Sequence, residues 1–489
     1  MMGIGFLRVG FAAIWRRLAL AAMLAGVLAA CGPNGTLMSE ADEARIGAEN
    51  HQKIIKEFGG VYDDAPQMTA YVEQVMQRIA KASEKPEKTY TITVLDSPVV
   101  NAFALPGGYT YVTRGLLALA NDEAELAGVI GHEIGHVTAR HGARRQTTAV
   151  GTMVIGAVLG GLLESATGIS HQVTSDLVNL GGNALLAGYS RGQEYEADRL
   201  GVDTLARAGY DATAGADFLG AMGRYGALMS DNGGRGGVDW FASHPNTQDR
   251  VARARERAKQ SDLTVAPLGR GRSAHLAAID GMVFGTDVEQ GRVKGRQFAH
   301  AGLRLSFAVP KGFRLVNAPD KVTAAHENGL QIIFNTAKRL DGESARQYVD
   351  DLAAETGNVI DRTALSIAGR AAMLAVLRSN DHEMRLLVIP HDSNRFLRFA
   401  VHAPVNLGGN ASLTMQNLRR TISFLSKGQA AAIKPLRVRV QNVRAGDTID
   451  GFIGRMQVND RKKPLFLALK GLSETDRLVP GQKVKIIAE

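Results

Sequence analysis

Apolar residues recur at helical spacing in the stretch that follows Asp122. They are Leu126, Ile130, Ile134 and Val137. This period predicts a helix with its apolar stripe facing a core. Asp122 and Glu125 fit a capping box at the start of the helix, and Asn121 is an alternative cap.

Two apolar segments upstream read as short strands, Thr91–Leu95 and Asn101–Leu105, the second running into a Pro-Gly-Gly turn. The first half of the chain is therefore expected to be mainly helical with a small sheet. An exposed edge of that sheet would pair with a substrate backbone. Alternatively, both strands are only scaffold.

The second half has a different pattern. Residues 263–277 contain Pro267, Gly269 and Gly271, which are typical of a linker. Residues 278–428 then predict an α+β domain, which would make the chain an α+β multidomain protein. Its predicted strands and helices are Leu303–Val309, Leu330–Phe334, Met384–Ile389, Ser344–Thr356 and Leu413–Phe424.

The first thirty residues have the layout of a secretory signal. Arginines precede an apolar stretch, Leu18–Ala30, that is too short to span a bilayer. The stretch ends at Cys31 in a sequence that resembles a bacterial lipobox, which predicts a lipoprotein signal peptide (1–30), a lipid on Cys31 and a short linker (31–38). The alternative is an ordinary signal peptide with an incidental cysteine. Gly32 favours the outer membrane if the source is Gram-negative.

The composition is that of an ordinary globular protein with 489 residues, 45% hydrophobic content and a single cysteine. One cysteine excludes a disulfide within the chain, so packed cores must stabilise it. The formal charge is +9. No basic stripe is interleaved with aromatic residues, so we expect no nucleic-acid partner.

The predicted helix carries the pattern H-E-x-x-H at His132, Glu133 and His136. Histidines four residues apart share a helix face, so both rings can meet on one metal ion. The glutamate is then placed to take a proton from a metal-bound water. His132 lies about 200° around the helix from Ile130, so the pair is expected to point away from the buried stripe. The alternative is a structural histidine pair.

A catalytic zinc usually needs a third protein ligand. The metzincin pattern would place glycine and histidine where this chain has Ala139 and Gly142, so that class is excluded. Glu194 and Asp198 share a face of a later predicted helix. We expect Glu194 to bind the metal and Asp198 to orient a zinc-bound histidine. The alternative is an acidic first turn that complements the helix dipole.

Between these motifs lie two apolar stretches, Ala149–Leu163 and Leu177–Leu186. The first has about fifteen residues, fewer than a membrane span needs. Both are predicted either to form a hairpin that covers the active site or to be plain core helices.

The ordered motifs resemble the M48 zinc metallopeptidases, which belong to the gluzincin group, over about residues 40–260, and predict such a domain at 39–262. The matching residues are Asn101–Gly108, Gly131–Val137, Ser190–Arg191, Glu194, Ala197–Asp198, Ser243–Pro245 and Arg250. The resemblance implies one Zn²⁺ per subunit held by His132, His136 and Glu194, with Glu133 as general base. It also implies that His244 and Arg250 lie near the site. In some relatives the matching histidine coordinates the zinc and holds the enzyme latent, and in others such groups stabilise the oxyanion, so His244 and Arg250 are candidate catalytic residues. Alternatively, His244 is a turn residue before a proline.

Residues 436–489 resemble a LysM module, a small β-α-α-β fold that binds N-acetylglucosamine polymers such as peptidoglycan. The resemblance is carried by Val443–Thr448, Gly471–Leu472 and Leu478–Ile486.

Two functional hypotheses remain. The first is a lipid-anchored zinc endopeptidase of the bacterial envelope, facing the periplasm, that degrades misfolded or misassembled envelope proteins. The second is an envelope assembly or peptidoglycan-binding factor with a latent peptidase fold. The intact H-E-x-x-H motif and Glu194 favour the first.

Overall fold

The computed structural model describes residues 36, 38–148, 188–230, 244, 248–261, 268–285, 291–318, 321–458, 461–471 and 476–489. The described residues form two compact units. The first unit extends to Ile279 and includes residues of the segment Leu467–Asp476, and the second contains the remainder.

The first unit is mainly helical. Its helices are α1 (Glu40–Glu57), α2 (Pro66–Ala82), α3 (Arg114–Leu119), α4 (Glu123–Thr138), α5 (Arg191–Arg207), α6 (Ala214–Ser230), α7 (Gln248–Lys259) and α8 (Arg272–Ile279). Its strands are β1 (Thr91–Leu95), β2 (Ala102–Leu105) and β3 (Tyr109–Thr113). They form a sheet in the order β1-β3-β2, in which β3 runs parallel to β1 and antiparallel to β2.

Helix α4 begins as the sequence predicts. The Asp122 carboxylate accepts the backbone N–H of Glu125, and the Glu125 carboxylate accepts the N–H of Asn121 rather than that of Asp122. The predicted orientation is wrong in one respect. Every residue from Glu123 to Val137 is buried, so the histidine face is enclosed as fully as the apolar stripe. Packing against several elements overrides the two-sided pattern that a surface helix would show.

Helices α4 and α5 pack almost backbone to backbone because glycines line their contact. A Cβ atom on Gly201 would lie 2.9 Å from the backbone nitrogen of His132, which is closer than real contacts allow. A Cβ on Gly135 would lie 3.1 Å from the carbonyl oxygen of Ala197. We call these facing residues the glycine seam. The seam sets the short distance between the two helices that carry the predicted ligands.

The predicted linker at 263–277 is wrong for its last residues, which form α8. His275 of this helix is buried, and its Nε2 atom lies 3.3 Å and 3.1 Å from the carbonyl oxygens of Leu117 and Ala120. Helix α8 therefore belongs to the core of the first unit. The glycines upstream of α8 mark only the turn before the helix, and this is why the predicted linker extended too far.

The second unit is built on antiparallel sheets. Its strands are β4 (Val283–Phe284), β5 (Arg292–Lys294), β6 (Gln297–His300), β7 (Leu305–Ala308), β8 (Arg314–Asn317), β9 (Val322–Ala325), β10 (Gln331–Lys338), β11 (Val359–Ile367), β12 (Arg370–Arg378), β13 (His382–Pro390), β14 (Arg395–Pro404), β15 (Ser423–Phe424), β16 (Leu436–Asn442) and β17 (Lys483–Ala488). Its helices are α9 (Ala345–Thr356), α10 (Gly408–Arg419), α11 (Lys427–Ala431), α12 (Ile449–Arg455) and α13 (Lys462–Lys470), the last of which continues into the segment grouped with the first unit.

A seven-stranded sheet, ordered β11-β12-β13-β14-β10-β9-β8, forms the centre of this unit. Alternate residues of β14 pack into separate cores, Leu397 and Phe399 on one face and Phe396 on the other. The first core includes α10 residues and the strands of a smaller sheet, and the second includes α9 residues. The helix predicted at Leu413–Phe424 instead ends at Arg419, and Ser423–Phe424 form β15.

The C-terminal residues contain two strands and two helices in the order β16-α12-α13-β17, with β16 and β17 antiparallel. Strand β16 also pairs with β4, so the predicted boundary between the α+β domain and the LysM-like module crosses a shared sheet. The LysM assignment itself stays a prediction. Among the described helices, none is both long and apolar enough to cross a bilayer.

Candidate metal centre

Four side chains converge between α4 and α5. Nitrogen or oxygen atoms of His132, His136, Glu194 and His244 all lie within 4.8 Å of one another, and all four residues are buried. The Nε2 atoms of His132 and His136 are 3.0 Å apart, and His136 Nε2 lies 3.3 Å from Glu194 Oε1. The structure thus brings together the three predicted ligands, with His244 as a fourth donor.

His132 is oriented from behind by Asp198. Its Nδ1 atom lies 2.9 Å from Asp198 Oδ1, which leaves Nε2 directed at the cluster. Burial lowers the pKa of His132, but the hydrogen bond and charge of Asp198 outweigh it, so the pKa is raised above its ordinary value. This is the contact expected of a carboxylate that fixes the ring of a metal ligand.

Arg250 contacts two acidic residues of α5, Asp198 and Glu194. Its Nε and Nη2 atoms donate to the two Asp198 oxygens at 2.7 Å each, and Nη1 lies 2.6 Å from Glu194 Oε2. Burial raises the pKa of Asp198, but the hydrogen bond from Arg250 outweighs it and lowers the pKa overall. Arg250 is 1% exposed. Its bidentate bond makes it a fixed part of the frame around the cluster.

Glu194 and His136 are held in their metal-binding protonation states. Burial raises the pKa of Glu194, but hydrogen bonds with His136 and His244 outweigh it and hold the pKa well below its ordinary value. Burial lowers the pKa of His136 well below its ordinary value. A carboxylate and a neutral imidazole are the forms that bind a metal.

Glu133 is fully buried beside the cluster. Its two carboxylate oxygens have no hydrogen-bond donor among the residues that the structure describes, and Oε1 lies 3.6 Å from His244 Nε2. A buried carboxylate without donors costs free energy, so its retention at this place needs a reason. Taking up a proton during a reaction is such a reason.

His141, Glu196 and Tyr189 also lie at the site, and the motifs in the sequence did not include them. The Nδ1 atom of His136 lies 2.8 Å from Nδ1 of His141, and His141 Nε2 lies 3.1 Å from Glu196 Oε2. Burial lowers the pKa of His141 to about 4. Tyr189 stacks on the ring of His136 with 3.9 Å between centroids. The third histidine of H-E-x-x-H-x-x-x-x-H was a visible signal, but Tyr189 had none.

A small pocket lies beside His136. Its walls include Leu105 and Pro106 at the end of β2, Val137 and Tyr189. Strand β2 is an edge of its sheet and packs on α4. The site thus has a strand and a small pocket next to the ligand cluster.

Several predictions lie outside the described residues. They are the lipid on Cys31, the signal peptide at 1–30, and the apolar stretches Ala149–Leu163 and Leu177–Leu186.

The donor set fits zinc. Two imidazoles with a carboxylate are a known ligand set of catalytic zinc, and such sites keep a fourth position for water or substrate. His244 Nδ1 lies 3.3 Å from His132 Nε2 and 3.0 Å from Glu194 Oε1, so this nitrogen could bind the same ion as a fourth protein ligand. The buried charges around the cluster are those that a divalent cation balances.

Comparisons with known proteins agree with this geometry. Residues 66–258 match the family described as Peptidase family M48. The chain is 27% identical over 235 residues to the beta-barrel assembly-enhancing protease of Escherichia coli, covering 46% of each chain. It is 30% identical over 218 residues to the mitochondrial metalloendopeptidase OMA1 of Schizosaccharomyces pombe, covering 44% of this chain and 60% of that one.

A third relative is the metalloprotease YcaL of Escherichia coli, 31% identical over 159 residues, covering 32% of this chain and 58% of that one. The chain thus spans about half the length of the curated relatives it matches. The matched residues are those that carry the zinc-ligand geometry. Over residues 66–258 the chain therefore matches peptidase family M48, and its buried cluster of His132, His136, Glu194 and His244 fits the single zinc of a metallopeptidase.

Proposed function

We propose that this protein is a lipid-anchored zinc endopeptidase of the bacterial cell envelope that cleaves misfolded or misassembled envelope proteins. The observation that carries the proposal is the convergence of His132, His136 and Glu194 beside the buried carboxylate of Glu133. The name of the Escherichia coli relative, a beta-barrel assembly-enhancing protease, supports the envelope setting.

In this proposal His132, His136 and Glu194 hold the zinc. When bound, zinc supplies a Lewis acid that polarises a carbonyl and lowers the pKa of water to about 7. Asp198 orients His132, and Arg250 fixes Asp198 and Glu194. Arg250 is thus assigned to positioning the ligands rather than to contact with the substrate.

Glu133 is the proposed general base. Its carboxylate lies on the same helix as both histidines and has no fixed hydrogen-bond donor in the described part of the chain. It accepts a proton from the attacking water and later returns it to the leaving amine. Burial keeps other water away from the carboxylate, which strengthens this exchange.

The substrate is proposed to bind along β2. An edge strand offers backbone N–H and C=O groups to an extended peptide, and this pairing gives affinity with little sequence preference. The end of β2 borders the pocket beside His136. A carbonyl of a peptide paired with β2 would then lie near the ligand cluster.

His244 is the proposed gate. Its ring lies within the cluster, 3.0 Å from Glu194 and 3.3 Å from His132. Four protein donors close a zinc site, whereas catalysis needs an open position. This proximity supports the proposal that the enzyme rests in a latent state, from which displacement of His244 would open the site.

The test of the proposed chemistry is Glu133→Gln. We expect the variant to bind zinc with unchanged stoichiometry and to lose casein cleavage by about 10²- to 10⁴-fold, the usual effect of losing a general base. Asp203→Asn is the matched control, because Asp203 lies on α5 in an ion pair with Arg257 away from the cluster. Unchanged hydrolysis by Glu133→Gln would contradict the assignment.

The second candidate function is an envelope assembly factor with a latent peptidase fold, which the position of His244 favours. Comparison of Glu133→Gln with a full deletion in the source bacterium separates the two. Equal severity of the phenotypes supports proteolysis, whereas rescue by the inactive variant supports an assembly role.

The proposed location rests on Cys31 and on the LysM-like residues 436–489. We propose a lipid anchor on Cys31, a periplasm-facing protein at the outer membrane, and peptidoglycan binding by the C-terminal module. Cys31→Ser should release the protein into the soluble fraction after cell breakage, because acyl chains provide the membrane affinity. A pull-down with purified peptidoglycan tests the second contact.

A further inference from the structure

We infer that His141, with Glu196 behind it, is a positioning residue that fixes the ring orientation and the tautomer of His136. The inference rests on the proposal that His136 binds zinc, and it adds two residues to the machinery. It is carried by a continuous chain of contacts, from His136 Nδ1 to His141 Nδ1 at 2.8 Å and from His141 Nε2 to Glu196 Oε2 at 3.1 Å.

The hydrogen atoms of this chain can be placed from its two ends. An ionised Glu196 carboxylate can only accept hydrogen bonds. His141 Nε2 therefore carries the hydrogen and donates it to Glu196. A neutral His141 then has a lone pair on Nδ1, which accepts hydrogen from His136 Nδ1. His136 is left with its lone pair on Nε2, the atom that lies 3.0 Å from His132 Nε2 in the ligand cluster. His136 is thereby held in the tautomer that metal binding through Nε2 needs.

Arg144 contacts Glu196, the last residue in this series of hydrogen bonds. Its Nη1 atom donates to the same Glu196 oxygen at 3.1 Å. The Glu196 side chain is about one-third exposed, whereas His141 is fully buried. The chain therefore links a buried ligand to an ion pair at the surface.

The local backbone is built to bring His141 back toward His136. Helix α4 ends just before Arg140, whose φ angle of 55° lies in the left-handed region. Such a conformation costs a non-glycine residue free energy, so other contacts must hold it. Arg140 donates to the buried Glu43 carboxylate at 3.2 Å and to the Met38 carbonyl at 2.6 Å. This turn places His141 beside the ligand five positions before it.

The two ligand histidines thus have different supports. His132 contacts a carboxylate directly, at 2.9 Å from Asp198, whereas His136 reaches its carboxylate through a second imidazole. Partners of this kind typically contribute 10- to 100-fold to metal affinity. We therefore expect His141 to act on zinc binding itself, before any substrate is present.

The experiment measures the zinc dissociation constant of the full-length protein by competition with a chelator, without peptide. His141→Phe removes the acceptor and should weaken zinc binding about 10- to 100-fold. His141→Asn places a carboxamide oxygen where ring Nδ1 was and should recover most of the affinity. Glu196→Ala should weaken binding less than His141→Phe does, and Asp203→Ala, on the same helix, should leave it unchanged.

The outcomes divide cleanly. Unchanged affinity in His141→Phe, failure of a folded His141→Asn to recover affinity, or equal losses in Glu196→Ala and Asp203→Ala would each overturn the inference. If His141→Phe does not fold, as judged by circular dichroism, the comparison of Glu196→Ala with Asp203→Ala decides. If the variants show the expected zinc affinities but the parent protein cleaves no casein, the role of His141 is supported and the proposed function is contradicted.

Discussion

The two units bury different kinds of side chain. The core around α4 and α5 encloses Glu133, Glu194, Asp198 and Arg250 together with several histidines. The two cores of the seven-stranded sheet are apolar and include aromatic residues such as Phe399, and the one buried carboxylate described on this sheet, Glu383, is paired with Arg378 and Arg385. Buried charges cost free energy unless they are paired, whereas buried apolar surface is favourable by itself. The core around α4 and α5 is therefore arranged for chemistry, and the cores of the sheet for stability.

The largest effect is expected from Arg250→Met in the first unit. Without the guanidinium, Glu194 and Asp198 lose a buried partner, and breaking such a pair typically costs about 3–5 kcal/mol. The free energy of unfolding, measured by urea titration of the metal-free protein, should fall by that amount. Zinc affinity should fall as well, because Asp198 no longer holds His132 in place.

Phe399→Ala in the second unit is the control that sharpens the comparison. Loss of a buried ring typically costs about 3–5 kcal/mol. It should leave the zinc dissociation constant unchanged. If both variants weaken zinc binding equally, the division into a chemical core and a structural core is wrong.

Removal of zinc comes next in size. A ligand present at 100 to 1,000 times its dissociation constant stabilises the folded state by about 3–4 kcal/mol. Chelation should therefore lower the unfolding temperature of the first unit and leave that of the second unchanged, as followed by calorimetry. Equal shifts in both transitions would contradict the comparison.

A smaller effect is expected from acid in the second unit. Burial, then the charges of Arg395 and His391, lower the pKa of His300 to about 4. The histidine of the unfolded chain titrates near pH 6.5. The contribution of neutral His300 to the free energy of unfolding is therefore complete above that pH and is lost as the pH falls from 6.5 towards 4. The partly exposed position limits the loss to about 1–2 kcal/mol.

His300→Asn tests this pH dependence. The asparagine keeps an acceptor for the Leu303 N–H, which now donates to His300 Nδ1 at 3.1 Å, but it does not titrate. The urea midpoint should then fall less between pH 6.5 and pH 4 than in the parent. His391 and His402, whose pKa values are also lowered by burial, account for the part that remains. An unchanged slope would exclude His300 as a contributor.

The ligand geometry could be predicted from the sequence because helical spacing fixes it. His132 and His136 share a face at any helix position, and Glu194 and Asp198 do so in the same way. The capping box at Ser190 and Gln193 also formed as local chemistry dictates. Local rules therefore sufficed for the spacing of the ligands, although Glu125 bonds to the N–H of Asn121 rather than to that of Asp122.

The sequence was less informative where contacts come from distant segments. Burial of the whole of α4 depends on α2, α5, α6 and β2 packing around it, which its own apolar period does not show. The pairing of β16 with β4 joins residues more than 150 positions apart. The role of Glu196 was equally invisible, because its partner His141 lies 55 positions away along the chain.

The glycine seam carries a consequence for engineering. A side chain at position 201 would push α4 and α5 apart, because a Cβ atom there would lie only 2.9 Å from the backbone nitrogen of His132. The distance between the ligand atoms of the two helices would increase, although no ligand residue would be changed. A graded series of alanine, serine and valine at that position would thus tune which ion radius the protein prefers.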